Sequence, residues 1–353
     1  MRLEYSIFGE SHGPAIGVVI ENLPSGIPMD MDFIGQEMER RRAKKGGLST
    51  TRIETDQPEI LSGVFNGYTT GTPLCCIIRN GNTHSSDYDN IKTLARPSHA
   101  DYTGRIRYHG FNDYRGGGHF SGRLTAPMVF AGAVMKLWLR QQGIEVGSHI
   151  LQLGNVRDIP FDPARPPVEE FPVIAARTLP VWSEEAGEKM QAVIQKAREE
   201  LTSVGGILQV AVTGIPAGIG SPDQDSLEGI IARHVFAVPA VKGIEFGLGF
   251  GFGGAYGHEV NDQMRMEGDK VVSVTNHNGG ILGGISSGMP VVFQAVIKPT
   301  PSISREQKTV DMVKKEDASI LVKGRHDPCI LSRAAVVLEA AAALAVSEAL
   351  LDR

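Results

Sequence analysis

The stretch IGVVIENLPSGIP, residues 16–28, has a near copy in LQVAVTGIPAGIG, residues 208–220. Each starts as an apolar strand, passes through a Pro-x-Gly-Ile turn and leads into a helical pattern. An internal pseudo-duplication would explain this echo, and so would a turn of Pro and Gly that recurs by chance. Strands and helices mixed along one chain predict an α+β fold.

Caps and periodicity predict where the main elements lie. Asp30 and Ser183 are expected N-caps, and Gly143 is the expected C′ residue of an apolar helix. The predicted helices are 30–42, 125–142, 183–203, 225–236 and 332–351, and the predicted strands are 17–20, 75–79, 207–213, 271–275 and 291–297. The apolar last helix is expected to be buried or to pack against another subunit. Residues 154–181 are interpreted as a loose surface excursion, and no linker divides the chain, so we predict one domain, 1–353.

The composition bounds the function. The 353 residues carry a formal net charge of −5, which argues against a nucleic-acid binder. The sequence contains no run of eighteen apolar residues, so it predicts no membrane span. Its N-terminus does not resemble a signal peptide. Three cysteines without a C-x-x-C motif favour a reducing, cytoplasmic location, and no metal-binding spacing is present, so no metal is expected.

Two basic islands stand out in this acidic chain. Residues 40–52 (RRRAKKGGLSTTR) carry six cations and no acid, and residues 92–123 carry six Lys/Arg against two Asp. The second island also contains Gly116-Gly117-Gly118, whose backbone N–H groups can approach an oxyanion. These features indicate a small ligand with several negative charges, although ordinary Arg–Asp surface pairing is an alternative.

Three histidines are candidates for proton transfer near neutral pH. His12 lies in GESHG, His99 in RPSHAD, and His326 beside Asp327 in GRHDPC. A Ser-His-Asp hydrolase is disfavoured because G-x-S-x-G is absent.

Two glycine-rich segments invite a cofactor interpretation. Residues 247–257 (GLGFGFGGAYG) resemble a dinucleotide-binding loop, but the expected helix does not follow, and we interpret them as a flexible loop. Residues 276–288 lead through a strand to Lys298, Thr300 and Ser302, which would suit a phosphate.

Taken together, the segments resemble the chorismate synthase family. The resemblance runs through GESHG (9–13), RRR (40–42), DQPEILSGVFNGYTTGTP (56–73), RPSHADYT beginning at Arg96, DYRGGG (113–118), AVKGIEFG (240–247), NHNGGILGGISSGMP (276–290), KPT (298–300) and GRHDPC (324–329). It implies β-α-β sandwich layers and a lyase that converts 5-enolpyruvylshikimate 3-phosphate to chorismate. The reaction is an anti-1,4-elimination of phosphate in the shikimate pathway, and it uses reduced FMN without net redox change.

The resemblance also implies roles for individual residues. His12 would protonate the departing phosphate, His99 would stand near flavin N1, and Asp327 would help flavin N5 to accept the substrate proton. The implied substrate-binding residues are Arg41, Arg115, Ser121, Arg123 and Arg325. The implied cofactor-binding residues are His119, Phe120, Ser121, Pro239, Ala240, Gly283, Lys298, Pro299, Thr300, Pro301, Ser302 and Arg325. A cytoplasmic homotetramer acting on a small phosphorylated dicarboxylate is expected, with NADPH or a separate reductase as the source of reduced FMN.

Two positions depart from the family pattern. An Arg-Ser pair in GGGRSSARET is replaced by His119-Phe120, and Gly47 replaces an arginine. Two other functions remain as alternatives. One is an NAD(P)-linked oxidoreductase that uses residues 247–257, and the other is a non-catalytic anion- or flavin-binding protein.

Overall fold

The computed structural model describes residues 2–43, 54–81, 92–322 and 327–352. The first half contains a four-stranded antiparallel sheet in the order β1-β2-β6-β3. Its elements are β1 (Glu4–Gly9), β2 (Ala15–Glu21), α1 (Met31–Arg41), β3 (Pro58–Ser62), β4 (Val64–Phe65), β5 (Tyr68–Thr69), β6 (Leu74–Arg79), α2 (Asp101–Arg107) and α3 (Thr125–Gln141).

The second half contains a five-stranded antiparallel sheet in the order β10-β15-β9-β7-β8. Its elements are β7 (Glu145–Leu153), β8 (Val156–Arg157), α4 (Phe171–Ala176), α5 (Glu184–Glu199), β9 (Gly206–Thr213), α6 (Leu227–Phe236), β10 (Val241–Phe246), α7 (Gly257–Val260), β11 (Met264–Glu267), β12 (Lys270–Ser273), β13 (Ile281–Leu282), β14 (Ile285–Ser286), β15 (Val291–Ile297), β16 (Gln307–Asp311), β17 (Glu316–Ile320) and α8 (Leu331–Leu351).

Helices α3 and α8 form the layer between the two sheets. Helix α3 contacts β2 and β6 of the first sheet, α8 contacts β7 and β9 of the second, and the two helices pack against each other. Their backbones come close because Gly132 has no side chain: a Cβ there would lie 2.3 Å from Cβ of Ala340. The predicted α+β fold with β-α-β sandwich layers is therefore confirmed.

Of the two explanations for the sequence echo, duplication is supported by the hydrogen bonds of the two turns. The hydroxyl of Thr69 accepts a hydrogen bond from the backbone N of Ile27 at 2.9 Å. The same hydroxyl donates to the carbonyl of Pro24 at 2.7 Å. Ser286 makes the same two bonds, at 2.9 and 2.7 Å, to the Pro-x-Gly-Ile turn of the second copy. The surrounding elements also repeat. Each half contains, in the same order, a strand, this turn, a helix, a short hairpin, another strand and a long core helix. A chance recurrence of Pro and Gly would not reproduce this arrangement.

Helix α8 is long and apolar enough to cross a membrane, but 89% of its most apolar 18-residue window is buried inside the fold. Of the two predicted possibilities, burial within its own subunit is the one observed. Its Glu339 is buried, and a carboxylate there needs compensating partners. Glu339 accepts from Arg40 at 2.6 Å, Lys136 at 2.5 Å and Ser148 at 2.6 Å, which joins α1, α3, α8 and β7.

Two predictions about loops were wrong. Residues 154–181 are not a loose excursion, because Phe161, Phe171 and Ile174 form a second buried cluster on the outer face of the larger sheet. A Cβ at Gly147 of β7 would lie 2.3 Å from the Phe171 ring, so glycine makes room for this cover. Residues 247–257 contain a 3-10 turn, Gly249–Gly254, and lead into the four-residue helix α7 rather than forming a flexible loop.

Candidate active site

The candidate site lies where two equivalent connections meet, from β6 to α3 in the first half and from β15 to α8 in the second. Arg96 of the first connection donates from Nη1 to Oγ of Ser302 in the second at 3.2 Å. Lys298 of the second donates from Nζ to the carbonyl of Ser98 in the first. The repeated fold thus brings both basic and hydroxyl-bearing segments to one place.

The glycine loop lies against both predicted catalytic histidines. Gly116, Gly117 and Gly118 have φ angles of +60°, +87° and +55°, which side chains rarely tolerate. A Cβ at Gly116 would lie 2.2 Å from Cε1 of His12, and one at Gly117 would lie 3.3 Å from Cε1 of His99. The two imidazoles, 87 positions apart in sequence, are therefore held on the same three-residue backbone.

His12 is buried and oriented by the serine before it. Oγ of Ser11 lies 3.1 Å from Nδ1 of His12 and donates its hydrogen to the carbonyl of Arg115 at 3.2 Å. The Ser11 hydroxyl thus links the His12 imidazole to the backbone of the glycine loop. The backbone N of Ser11 also donates to the carbonyl of Gly118 at 3.2 Å, which ties the histidine to the glycine loop.

His99 lies in a buried ionic cluster. Its Nδ1 is 2.7 Å from Oδ1 of Asp101, whose other oxygen accepts from Nε of Arg96 at 2.7 Å. Burial acts to raise the pKa of Asp101, but the hydrogen bonds and charges of Arg96 and His99 outweigh it and hold that pKa well below its usual range.

A second buried cluster contains Arg41 and Arg123. Oδ2 of Asp56 accepts from Nη2 of Arg41 at 2.7 Å, and Oδ1 accepts from Nη1 of Arg123. Arg41 also donates to the carbonyl of Gly122 and the hydroxyl of Thr125, each at 3.2 Å. Burial, partly offset by Asp56, lowers the pKa of Arg41 to about 10. Both guanidinium groups therefore have internal partners, and direct contact with a substrate would require them to exchange some of these.

Asp327 links the connection between β15 and α8 to the buried cluster around Arg41. Its Oδ2 accepts from Nη1 of Arg333 at 2.8 Å, and its carbonyl accepts from the hydroxyl of Thr300 at 2.8 Å. Arg333 donates through Nε to the carbonyl of Arg41 at 2.9 Å. Asp327 is thus two links from Arg41, whereas Arg325 and His326 lie outside the described residues, as does Gly47.

Arg115 is the most exposed of the three predicted substrate-binding arginines that the structure describes. Its side chain is 42% exposed and forms a forked pair with Asp113 at 2.9 and 2.8 Å. Ser121 accepts from the backbone N of Arg123 at 3.3 Å and so caps the turn before α3.

Known proteins share the sequence and the fold of this chain over nearly its whole length. The family model for chorismate synthase matches residues 3–351. A chorismate synthase of Thermococcus kodakarensis is 43% identical over 351 residues, which cover 99% of this chain and 96% of that protein. The chain belongs to the chorismate synthase family. A chorismate synthase of Pyrococcus abyssi is 45% identical with the same coverage, and a crystal structure of chorismate synthase matches with a TM-score of 0.78 at 28% identity, covering 100% of this chain and 92% of that one. The chain is therefore a carbon–oxygen lyase of the shikimate pathway.

The residues that the family resemblance assigns to the cofactor lie in several segments. Ala240, after Pro239, has a φ of +72°, and its carbonyl accepts from the backbone N of Lys298 at 2.9 Å. This contact places the 239–240 turn beside the 298–302 segment, which includes Pro299 and Pro301. Gly283 lies at the tip of the β13–β14 hairpin, and no hydrogen bond among the described residues joins it to this group.

The two residues that replace the family's Arg-Ser pair have local roles. Nδ1 of His119 is 2.9 Å from the carbonyl of Gly9, next to the start of the GESHG loop. The ring of Phe120 packs against Gly104 of α2 and so supports this helix. A Cβ added at Gly104 would lie 2.5 Å from Cε2 of the ring. Both therefore connect the glycine loop to its neighbours.

Several site residues were not predicted from the sequence. Asp56 and Asp101 hold the arginines and His99, and Lys242 lies near Lys298 across the β10–β15 pair. Asp56 and Asp101 stand in DQPEILSGV and RPSHADYT, the motifs that carry the family resemblance. Their presence in these motifs was the available signal, but it did not show which partners they take.

Proposed function

We propose that the chain catalyses the anti-1,4-elimination of phosphate from 5-enolpyruvylshikimate 3-phosphate at this site, with reduced FMN bound. The observation that carries the proposal is the convergence of His12 and His99 on one glycine loop, beside cationic residues from both repeats. A phosphorylated dicarboxylate needs such cations, and its elimination needs groups that exchange protons near neutral pH.

The residues present fit a flavin phosphate. Burial and the nearby charge of Lys242 lower the pKa of Lys298, and neither lysine forms an ion pair with a carboxylate in the described part of the chain. Two neighbouring cations that repel each other are stabilised by an anion between them. The hydroxyls of Thr300 and Ser302 lie on the same segment, so we propose that this segment holds the phosphate.

When bound, reduced FMN supplies the electron-rich partner that cleavage of an unactivated C–H and an allylic C–O bond requires. We assign the proton given to the departing phosphate to His12, whose ring lies against the glycine loop. Asp327, fixed by Arg333, is proposed to assist removal of the substrate proton. Arg115 is proposed to bind substrate directly, while Arg41 and Arg123 form the base of the pocket.

The test is an anaerobic assay with chemically reduced FMN that follows chorismate and phosphate together. We expect wild type to form both in equal amounts, and His12→Ala to lose on the order of 10²–10⁴ in rate. His258→Ala, which removes an exposed histidine of α7, is the matched control and should be fully active. No phosphate from wild type would refute the function, and full activity in His12→Ala would refute the acid role.

The alternative functions predict other results. A dinucleotide site at residues 247–257 is disfavoured because α7 has only four residues and Phe250 is 89% exposed. Turnover of NAD(P)H with substrate in the absence of flavin would favour it nonetheless. Tight FMN binding without turnover would indicate a non-catalytic flavin protein.

We further propose a cytoplasmic, single-domain subunit that assembles as a homotetramer. The hairpin β11–β12 exposes Met264, Met266 and Val271, an apolar surface that suits a subunit contact. Light scattering of the purified protein tests the tetramer. Consumption of NADPH with FMN alone distinguishes self-reduction from a separate reductase.

A further inference from the structure

We propose that Asp101 is a positioning residue that fixes the tautomer of His99, so that Nε2 is the ring nitrogen presented to bound ligands. The functional part of this inference rests on the proposed function, in which His99 lies beside flavin and substrate. The tautomer itself can be measured without either ligand.

Asp101 contacts both His99 and Arg96. It is the first residue of α2, and its side chain is 8% exposed. Oδ1 lies 2.7 Å from Nδ1 of His99 and 2.8 Å from Nη2 of Arg96, while Oδ2 lies 2.7 Å from Nε and 3.0 Å from the backbone N of Arg96. Four approaching nitrogens occupy both oxygens of one buried carboxylate.

The proton count follows from these contacts. The pKa of Asp101 is held well below its usual range, so the carboxylate is ionised and can only accept. The hydrogen in the 2.7 Å contact therefore belongs to Nδ1 of His99. Nη2 of Arg96 also lies 3.0 Å from that nitrogen, but arginine cannot accept and Nδ1 then has no free lone pair. Arg96 is held by Asp101 rather than by the histidine.

The remaining ring nitrogen faces the glycine loop. A Cβ at Gly117 would lie 3.4 Å from Nε2 of His99, so this edge of the ring is next to the most open backbone of the site. With Nδ1–H anchored, neutral His99 offers an acceptor at Nε2 and cationic His99 offers a donor there. Proton exchange is thereby confined to the side of the ring that faces the glycine loop.

The same carboxylate also joins the two halves of the site. Arg96, fixed by Asp101, reaches Oγ of Ser302 at 3.2 Å. A group bound along residues 298–302 is consequently placed relative to His99 through one anchor. Such an anchor costs no reorganisation during the reaction.

The first experiment is long-range ¹H–¹⁵N NMR of the histidine rings in ¹⁵N-labelled protein without ligands. The signal that disappears in His99→Gln identifies His99. We expect the Nδ1–H tautomer in wild type and the Nε2–H tautomer in Asp101→Asn. Two donors of Arg96, its backbone N and Nε, lie at the Oδ2 position and would claim the amide oxygen of the asparagine, so its NH₂ would face Nδ1, which would then have to accept. An Nε2–H tautomer in wild type would overturn the proposal, and this spectrum decides even if Asp101→Asn does not fold.

The second experiment measures turnover with reduced FMN and substrate. We expect kcat in Asp101→Asn to fall on the order of 10²–10⁴-fold, because an amide leaves the ring in the wrong tautomer. Glu185→Gln, which removes an exposed carboxylate paired with Lys189 on α5, should retain wild-type kcat.

The outcomes separate the two claims. An unchanged tautomer or an unchanged kcat in Asp101→Asn would show that Asp101 does not act through His99. The expected tautomers combined with no phosphate release by wild type would refute the proposed function and leave the structural assignment standing.

Discussion

Replacing Gly116 with alanine tests whether the glycine loop sets the position of His12. The φ of Gly116 is +60°, and an added Cβ would lie 2.2 Å from Cε1 and 2.3 Å from Nδ1 of His12. It would also lie 2.6 Å from Oγ of Ser11. Ordinary contacts begin at 3.4 Å, so the ring or the loop must move by 1.2 Å (3.4 − 2.2) to restore one.

Two separate effects follow from this substitution. A displacement of about 1 Å in a catalytic arrangement costs on the order of 100-fold in rate. The left-handed backbone conformation costs a side chain about 1–2 kcal/mol of stability, which a domain stable by about 5–15 kcal/mol survives. We therefore expect Gly116→Ala to fold and to lose about 100-fold in kcat/KM.

Gly67→Ala is the matched control. Gly67 lies in the turn between β4 and β5 with a φ of +81°, and nothing lies within 4 Å of its added Cβ. It should lose similar stability in urea unfolding and keep its activity in the anaerobic chorismate assay. Equal activities of the two variants would refute the argument that the loop positions His12.

Three further substitutions test the supports of the fold and the site. Asp56→Asn leaves two buried arginines without a counter-charge, so we expect the free energy of unfolding in urea to fall by about 3–5 kcal/mol. Asp223→Asn, at an exposed position, should lose almost none, and equal losses would contradict this. Gly132→Ala puts a Cβ 2.3 Å from Cβ of Ala340, and overpacking of this kind costs about 1–3 kcal/mol, so an unchanged urea midpoint would contradict the close packing of α3 on α8. Burial acts to raise the pKa of Glu348, but three hydrogen-bond donors outweigh it and lower the pKa from 4.5 to about 2. Its stabilisation is therefore complete above pH 4.5 and lost as the pH falls through 2, and Glu348→Gln should show a shallower loss of stability between pH 5 and 2 than wild type.

The sequence identified elements wherever the deciding signal is local. Asp30 accepts from the backbone N of Phe33 at 2.9 Å, and Ser183 accepts from Ala186 at 3.3 Å, as their N-cap roles require. Gly143 has a φ of +74° after α3. A cap or a C′ glycine depends on the next three residues, so its effect can be predicted without the rest of the chain.

Strand β7 shows why other elements were missed. Its sequence EVGSHILQL does not alternate, because the polar residues Ser148 and His149 are buried too. Ser148 donates to Glu339 of α8 at 2.6 Å, and Nε2 of His149 lies 2.9 Å from Oε1 of Gln209 in β9. These partners come from other parts of the chain, so no pattern within the strand indicated that such residues could be buried.

The candidate site was only partly predictable for the same reason. Glycine-flanked loops and basic islands indicated His12, His99 and an anion pocket. The contact between Asp56 and Arg123 spans 67 positions, and nothing in their spacing shows that the arginine is buried. The sequence predicted arginines that bind an anionic substrate, and the structure has Arg41 and Arg123 buried around one carboxylate, with Arg115 more exposed.

The duplication explains why the site residues do not repeat although the fold does. Both halves keep the Pro-x-Gly-Ile turn, because its hydrogen bonds to Thr69 or Ser286 hold a strand, a helix and a hairpin together. The connections that follow β6 and β15 carry no such constraint. One supplies His99 and the glycine loop, and the other supplies Lys298 and the residues up to Asp327. Since the two connections meet, each was free to take different groups: the first carries Arg96, His99 and Arg115, and the second carries Lys298, Thr300 and Ser302. The sequence echo therefore marks the scaffold that the two halves share, and the proposed site residues lie outside the echo.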